Sequence, residues 1–467
     1  MPPAESPGST ARHRTDGGRR HIFGTRRVAG PRSGGHLVVR VAAALCSTTV
    51  LTAGLGFVFW AVAARLGTPE VVGRSAAVIS AMEFIATFAT LGLHTLLIAE
   101  LPRRAGTDTK RLVVTTFGIA GCVAFVAATG FALVHHILAD STWMYGTPPG
   151  VLLFAFATAV STVTIVVDGA LIGFQQSRRQ VLRNLIFAVV KLAALPLAAY
   201  LAGLSPRMIL LCWLLGNIVS LLFLAARVED LGGWLRMLPS PRGFVPIWRT
   251  AAGHHWVNVA TQAPRLALPI MVAAQLGDEA NAGFYAALLM VTFIWIIPNH
   301  LGTAMFALHS GNPDHFRTGL DTALKLSAVV SAAAALGGPI LAGPLLAVFG
   351  PTYVDARYCL MALLICTFCG AVKSIYIAVR RAQGALGKAA RAAVLGALLE
   401  LVAAEVGLQV AGVTGVGVAM GAATAIEAAC FWPVISKARA RSADEAPKGG
   451  CDADTRGPQR VRLAEHR

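Results

Sequence analysis

Ala273-Ala274-Gln275-Leu276-Gly277, followed by Gly283, Ala286 and Ala287, restates Ala63-Ala64-Arg65-Leu66-Gly67, followed by Gly73, Ala76 and Ala77, at one fixed offset. The same offset carries Leu91-Gly92 onto Leu301-Gly302. An apolar helix, a short turn between glycines and a second apolar helix therefore occur twice, in register and without a gap. Duplication of this kind marks membrane proteins assembled from repeated halves.

The composition agrees. Of 467 residues, 55% are apolar and only 13% charged, with a mean hydropathy of +0.64. That is too little charge to cover a soluble surface of this size, so the chain reads as a polytopic membrane protein of all-α fold. The net charge of +17 resides largely in two tails and in alternate short loops, a pattern of topology control rather than of nucleic-acid binding. The eight cysteines lie mostly inside apolar runs. Cys366-x-x-Cys369, in mid-helix, reads as small apolar residues more readily than as a redox or metal pair.

Twelve stretches are long enough to cross about 30 Å of hydrocarbon. They fall near 41–64, 75–98, 112–138, 149–174, 185–203 and 208–226, then 254–276, 284–306, 322–348, 357–378, 392–411 and 414–435. The expected organisation is a disordered basic tail at 1–38 and a six-helix lobe at 39–226. A linker at 227–253, a second six-helix lobe at 254–436 and a disordered tail at 437–467 complete it. Arg19-Arg20 and Arg26-Arg27 precede an apolar run long enough to span, which reads as a retained first helix. The linker holds Pro239, Pro241 and Pro246 beside Trp234 and Trp248, which suits either a headgroup-layer segment or a rigid connecting helix.

Arg103, Arg104, Lys110 and Arg111 follow the second span, Arg178, Arg179 and Arg183 the fourth, and Arg380, Arg381, Lys388 and Arg391 the tenth. The opposite connections hold only Arg65, Arg74, Arg207 and Arg357. Both termini are therefore expected on the cytoplasmic side of the plasma membrane. In the outer turns, Thr68-Pro69-Glu70 has the chemistry of a helix restart, and Asp278-Glu279 repeats it.

An ionisable side chain within a span costs roughly 3 kcal/mol or more unless it faces a cavity or a partner. Glu83, Asp168, Lys191, Arg265, Lys373, Glu400, Glu405 and Glu427 are such residues, with His94 and His300 near them in type. Asp168 and Lys191 each lie about seven residues, roughly 10 Å, from the loop joining their helices, so an ion pair between them is expected. Lys373 and Glu400 repeat this in the second half with the signs exchanged. Either pair can be a structural clasp or a substrate or proton site. Arg265 lies at mid-span between Pro264 and Pro269, where its charge cannot reach water by snorkelling. A planar donor fork beside a proline-interrupted helix suits a phosphate, or else a partner in Glu83 or Glu427. His94 and His300 read as satisfied by local hydrogen bonds or as a proton relay. Gly412-Val413-Thr414-Gly415-Val416-Gly417, with Gly421, reads as close helix packing after a tight turn.

Several stations along the chain resemble one family. They are Phe59-Trp60 running through Ala64-Arg65-Leu66-Gly67-Thr68-Pro69-Glu70-Val71-Val72-Gly73, Leu91-Gly92-Leu93, Leu101-Pro102, Asp168-Gly169-Ala170-Leu171-Ile172-Gly173, Lys191-Leu192, Gly283-Phe284-Tyr285 and the helix-twelve glycine run. Together, over about 40–436, they look like the polysaccharide biosynthesis flippases. These form the Wzx-like branch of the multidrug/oligosaccharidyl-lipid/polysaccharide exporter (MOP) superfamily. The resemblance implies two pseudo-symmetric lobes rocking about a central cavity and a polyprenyl-pyrophosphate-linked oligosaccharide moved from the inner to the outer leaflet. It implies the bilayer and that lipid-linked oligosaccharide as partners, with a polysaccharide polymerase or glycosyltransferases beside them, and no nucleic acid. Cavity cations would hold the headgroup, with Arg265 first and Glu83, Asp168, Lys191, Lys373 and Glu400 lining the cavity or latching the lobes. The related peptidoglycan-precursor flippases use several mid-depth arginines; this chain has one.

A transporter that is not an enzyme and needs no cofactor is the expectation, because no nucleophile-base set, nucleotide loop or metal cluster is legible. Two rivals stand beside it: a multidrug/cation antiporter of the same superfamily, favoured by the intramembrane acids, and a non-transporting scaffold for a polysaccharide assembly complex.

Overall fold

The computed structural model describes residues 33–104, 106–139, 147–228, 231–236, 245–309 and 313–444, and all regular structure among them is helical. The first half comprises α1 (Ser33–Leu66), α2 (Pro69–Ala89), α3 (Leu93–Glu100), α4 (Thr107–Ala139), α5 (Pro148–Gly173), α6 (Ser177–Ala202) and α7 (Pro206–Ala225). After a short α8 (Leu231–Leu235) come α9 (Val245–Leu276), α10 (Asp278–His309), α11 (Pro313–Ala347), α12 (Arg357–Ile365), α13 (Thr367–Ala382) and α14 (Leu386–Asp444).

Local chemistry sets the starts. Thr68 accepts a hydrogen bond from the Val71 amide and Pro69 opens α2; Ser205 accepts from the Met208 amide and Pro206 opens α7. In both places an orphan amide is satisfied and proline sits where no donor is needed. Apolar side chains such as Ile137, Leu336 and Val410 stay at least three-quarters exposed on the outer surface of the bundle, as a lipid solvent requires.

Each of the twelve expected stretches coincides with helix, but their integrity differs. Among the described residues nine helices are long and apolar enough to cross a membrane, and the bent pair α12 and α13 makes ten. The expected second span is two helices, α2 and α3, separated where Leu91 and Gly92 both take positive φ (50° and 78°). The expected tenth is broken at Cys366, with a 45° bend. Conversely, the eleventh and twelfth are joined in α14, whose only non-helical backbone is at Ala411 and Gly412, the latter at φ 57°. Gly407 and Gly415 then lie back to back, and Gly417 and Gly421 sit against Cys359 and Cys366, leaving no room for side chains. This is the tight turn and close packing expected there.

Helix α1 starts inside the expected N-terminal tail, and α14 runs past residue 437; the rest of both tails, 1–32 and 445–467, lies outside the described residues. So do 237–244 of the linker, with Pro239 and Pro241. Trp234 of α8 packs onto the apolar cluster formed by α3, α4 and α5.

The repeated turns meet each other. Helix α2 packs on α9 and α10, and α1 on α10, so the halves join through the elements that open each repeat. Gly73 lies directly against the backbone of Asp278 and Ala282, a contact that only glycine permits. Asn281 donates to the Gly73 carbonyl at 2.7 Å, and Arg74 Nε pairs with Asp278 at 2.5 Å. Arg65 donates to the carbonyls of Ala347 and Val348, both at 2.8 Å, which terminates α11.

Candidate functional site

Away from these turns the helices enclose a cavity of about 310 Å³. Its walls come from α2, α5, α6 and α7 of the first half and from α9 and α10 of the second. The Asp168-Gly169 motif explains how it is built. Gly169 and Gly173, one turn apart, lie against the backbone of His94 and Leu97, seating α3 on one side of α5. Asp168 is left to face the cavity.

Asp168 does not pair with Lys191, as expected from the sequence, but with Arg183. The guanidinium binds both carboxylate oxygens at 2.9 Å, with Asn184 as a further donor at 3.4 Å. Arg183 is only 4% exposed. The reason is where α6 begins: it starts at Ser177, not near 185, so Arg183 is well inside the helix instead of in a loop. A bidentate pair is the stronger partner for a carboxylate than a lysine ammonium.

Lys191, 3% exposed, has no carboxylate within 4 Å among the described residues. Its Nζ lies 3.5 Å from the centre of the Trp213 ring, 4.4 Å from Phe187 and 4.9 Å from Phe59. Gly216, whose missing side chain lets α7 approach Phe187 and Lys191, brings that tryptophan into place. The charge is stabilised by aromatic faces behind the cavity wall.

Arg265 and Glu83 both line the cavity. Neither forms an ion pair within 4 Å among the described residues, and the expected Arg265–Glu427 pair does not form. Helix α9 continues through Pro264 and Pro269 instead of breaking. Proline has no amide hydrogen, so the carbonyls of Ala260 and of Arg265 itself lose their helical donors. The rest of the lining mixes aromatic rings (Phe187, Trp213, Tyr285) and hydrogen-bonding groups (Ser80, Ser161, Thr164, Asn184, Asn217, Thr292) with the aliphatic side chains of Ile79, Ile165, Leu266, Leu288 and Leu289.

Lys373 and Glu400 pair as the sequence suggested, at 2.8 Å, and Glu427 joins them at 2.9 Å. The three residues come from α13 and from the two arms of α14, and Gly396 vacates the space that the Glu427 carboxylate fills. None of them lines the central cavity. His94 bonds the Ile165 carbonyl at 2.8 Å and His300 the Thr49 hydroxyl at 2.9 Å, so each ties two helices distant in the chain, α3 to α5 and α10 to α1, instead of bonding locally. Glu405 bonds Gln275 at 2.7 Å and Gln409 at 3.0 Å. Sequence reasoning missed Arg183, Asn217, Trp213 and Tyr285. The only signal for Arg183 was its spacing from Asp168 across a tight turn.

The same fold recurs in solved transporters. A multidrug resistance MATE family transporter of the MOP superfamily, in an inward-facing conformation, superimposes with a TM-score of 0.69 at 15% identity, covering 88% of this chain and 99% of the other. The same comparison with an outward-facing MATE family transporter gives 0.60 at 16% identity, covering 88% and 96%. A MOP superfamily transporter from Pyrococcus furiosus Vc1, described as having a binding pocket of reverse polarity, gives 0.62 at 14%, covering 88% and 96%. No curated protein matches the sequence. Residues 38–306, more than half of the chain, match the family described as polysaccharide biosynthesis protein, and the chain belongs to that family.

Proposed function

We propose that the protein moves a polyprenyl-pyrophosphate-linked oligosaccharide from the inner to the outer leaflet of the plasma membrane, with both termini cytoplasmic and the central cavity holding the headgroup. The observation that carries this reading is Arg265: a permanently charged fork, lining a cavity within the membrane, with no carboxylate within 4 Å among the described residues. Glu83 in the same cavity attracts it from beyond ion-pair distance, which leaves the donors of the fork available to an anionic ligand. The surrounding aromatic faces, amides and hydroxyls suit a sugar, whose rings stack and whose hydroxyls both donate and accept. At about 310 Å³ the cavity suits the phosphate end of a headgroup, with the lipid tail left in the bilayer. Family membership supports polysaccharide precursors as the substrate class.

Glu83 favours a second reading. An acid in the same cavity without a cation within 4 Å would suit a cationic substrate, and thus a multidrug antiporter. The deciding experiment is leaflet translocation of a fluorescent lipid-linked oligosaccharide in proteoliposomes. Movement by the wild type that falls about 10–100-fold in Arg265→Ala, the worth of roughly 1.5–3 kcal/mol of charged hydrogen bonding, supports the flippase. No movement of any polyprenyl-linked glycan, with export of a cationic dye that Glu83→Gln abolishes, supports the antiporter.

A further inference from the structure

A second concavity, of about 490 Å³, lies where the end of α13, the start of α14 and the late part of α14 converge. It is lined by Arg380, Gln383, Ala385, Lys388, Val434 and Lys437, three cations with no acid among them. None of the three has a carboxylate within 4 Å among the described residues. Loops on this face are rich in arginine and lysine, which accounts for charge but not for a shaped groove. The groove is shaped. Tyr376 stacks on Phe431 at 4.1 Å, the Arg380 guanidinium lies over Tyr376 at 5.3 Å, and its Nε donates to the Tyr376 hydroxyl at 3.3 Å. Arg380 also donates to the Gln383 side-chain oxygen at 3.2 Å, which leaves the glutamine amide nitrogen as a further donor. The fork is thus pre-organised while Lys388 and Lys437 remain exposed beside it.

We infer that this groove binds the phosphate of an anionic phospholipid. A fixed guanidinium flanked by two mobile ammonium groups, at the ends of apolar helices, suits a phosphodiester whose acyl chains lie along the bundle. No residue is shared with the central cavity.

Native mass spectrometry of the full chain, titrated with phosphatidylglycerol or phosphatidylcholine, tests this. Wild type retains a phosphatidylglycerol adduct that Arg380→Gln/Lys388→Gln/Lys437→Gln loses at least about tenfold, three surface cations being removed. A charge-matched variant, Arg103→Gln/Arg178→Gln/Arg179→Gln, keeps the adduct, and so does Arg265→Ala. Equal retention or equal loss in the two triple variants overturns the inference, as does equal retention of phosphatidylcholine. Inorganic phosphate that displaces the lipid at equal concentration would make this an ion site, and polyprenyl diphosphate that displaces it would make it a substrate dock; either result overturns the assignment.

Discussion

The two halves carry buried charge in matching places and use it in opposite ways. In the first half, Asp168 and Arg183 neutralise each other at the edge of a cavity that also holds Glu83 and Arg265. In the second, Lys373, Glu400 and Glu427 close on one another between α13 and both arms of α14, outside that cavity. Each half also breaks a different helix: the first between α2 and α3, the second between α12 and α13, although Leu301-Gly302 repeats the Leu91-Gly92 of the first break. The charges of the first half thus stand at the cavity wall, which α9 and α10 of the second half complete with Arg265, while those of α13 and α14 are clamped away from it.

The largest effect is expected at the clamp. Lys373→Met leaves two carboxylates facing each other in a dry site, and removing one partner of a buried pair costs about 3–5 kcal/mol. Thermal unfolding in detergent should show a large fall in Tm. Glu427→Gln, which leaves one carboxylate for one ammonium, should keep wild-type stability. A Tm unchanged in Lys373→Met would mean that water reaches these charges and that the two halves do not differ in this way.

The same deletion at the cavity should cost less. Arg183→Leu strands Asp168, but that carboxylate faces the cavity, so the loss should be about 1–3 kcal/mol, the penalty of one unsatisfied polar group. Measured beside Lys373→Met, the smaller shift would mark the first half as the wet one. An equal shift would remove the distinction.

What the sequence made legible was the repetitive part. Hydropathy runs long enough to span, the offset between Gly73 and Gly283, and the cap at Thr68 all have local causes, and each corresponds to a feature of the fold. Pairing of charges was legible only where helix boundaries were. Lys373 and Glu400 lie well inside α13 and α14, and their pair forms as expected. Arg183 falls in a polar first turn and a half of α6 that hydropathy cannot tell from loop, so spacing alone pairs Asp168 with Lys191 instead of Arg183. The aromatic cage of Lys191 draws on α1, α6 and α7, a convergence that no spacing in the chain announces.

The junction between the halves gives a third test. Gly73→Val places a branched side chain against the Asp278 carbonyl, so α2 and α10 must separate there. Cysteines introduced at Arg74 and Asp278 should crosslink readily in the otherwise wild-type chain and at least about tenfold more slowly with the valine present, a change of roughly 1.4 kcal/mol in the closed population. Unchanged crosslinking would show that this contact is not what holds the repeated turns together.

The smallest effect is expected at Lys191. Its cation–π contacts, at about 2 kcal/mol or more when desolvated, oppose the cost of burying an ammonium with no carboxylate within 4 Å. Methionine fills the same space, keeps contact with Trp213 through sulfur and needs no charge compensation. Lys191→Met should therefore change stability by less than about 1 kcal/mol in either direction. If Tm holds and translocation holds with it, Lys191 is a packed charge behind the cavity wall, and Arg265 is the lining cation left without a carboxylate within 4 Å among the described residues. If Tm holds but translocation collapses, the aromatic cage must open during the cycle and deliver Lys191 to the headgroup, so that the first half would add a second cation to the Arg265 that α9 of the second half supplies, while α13 and α14 stay clamped.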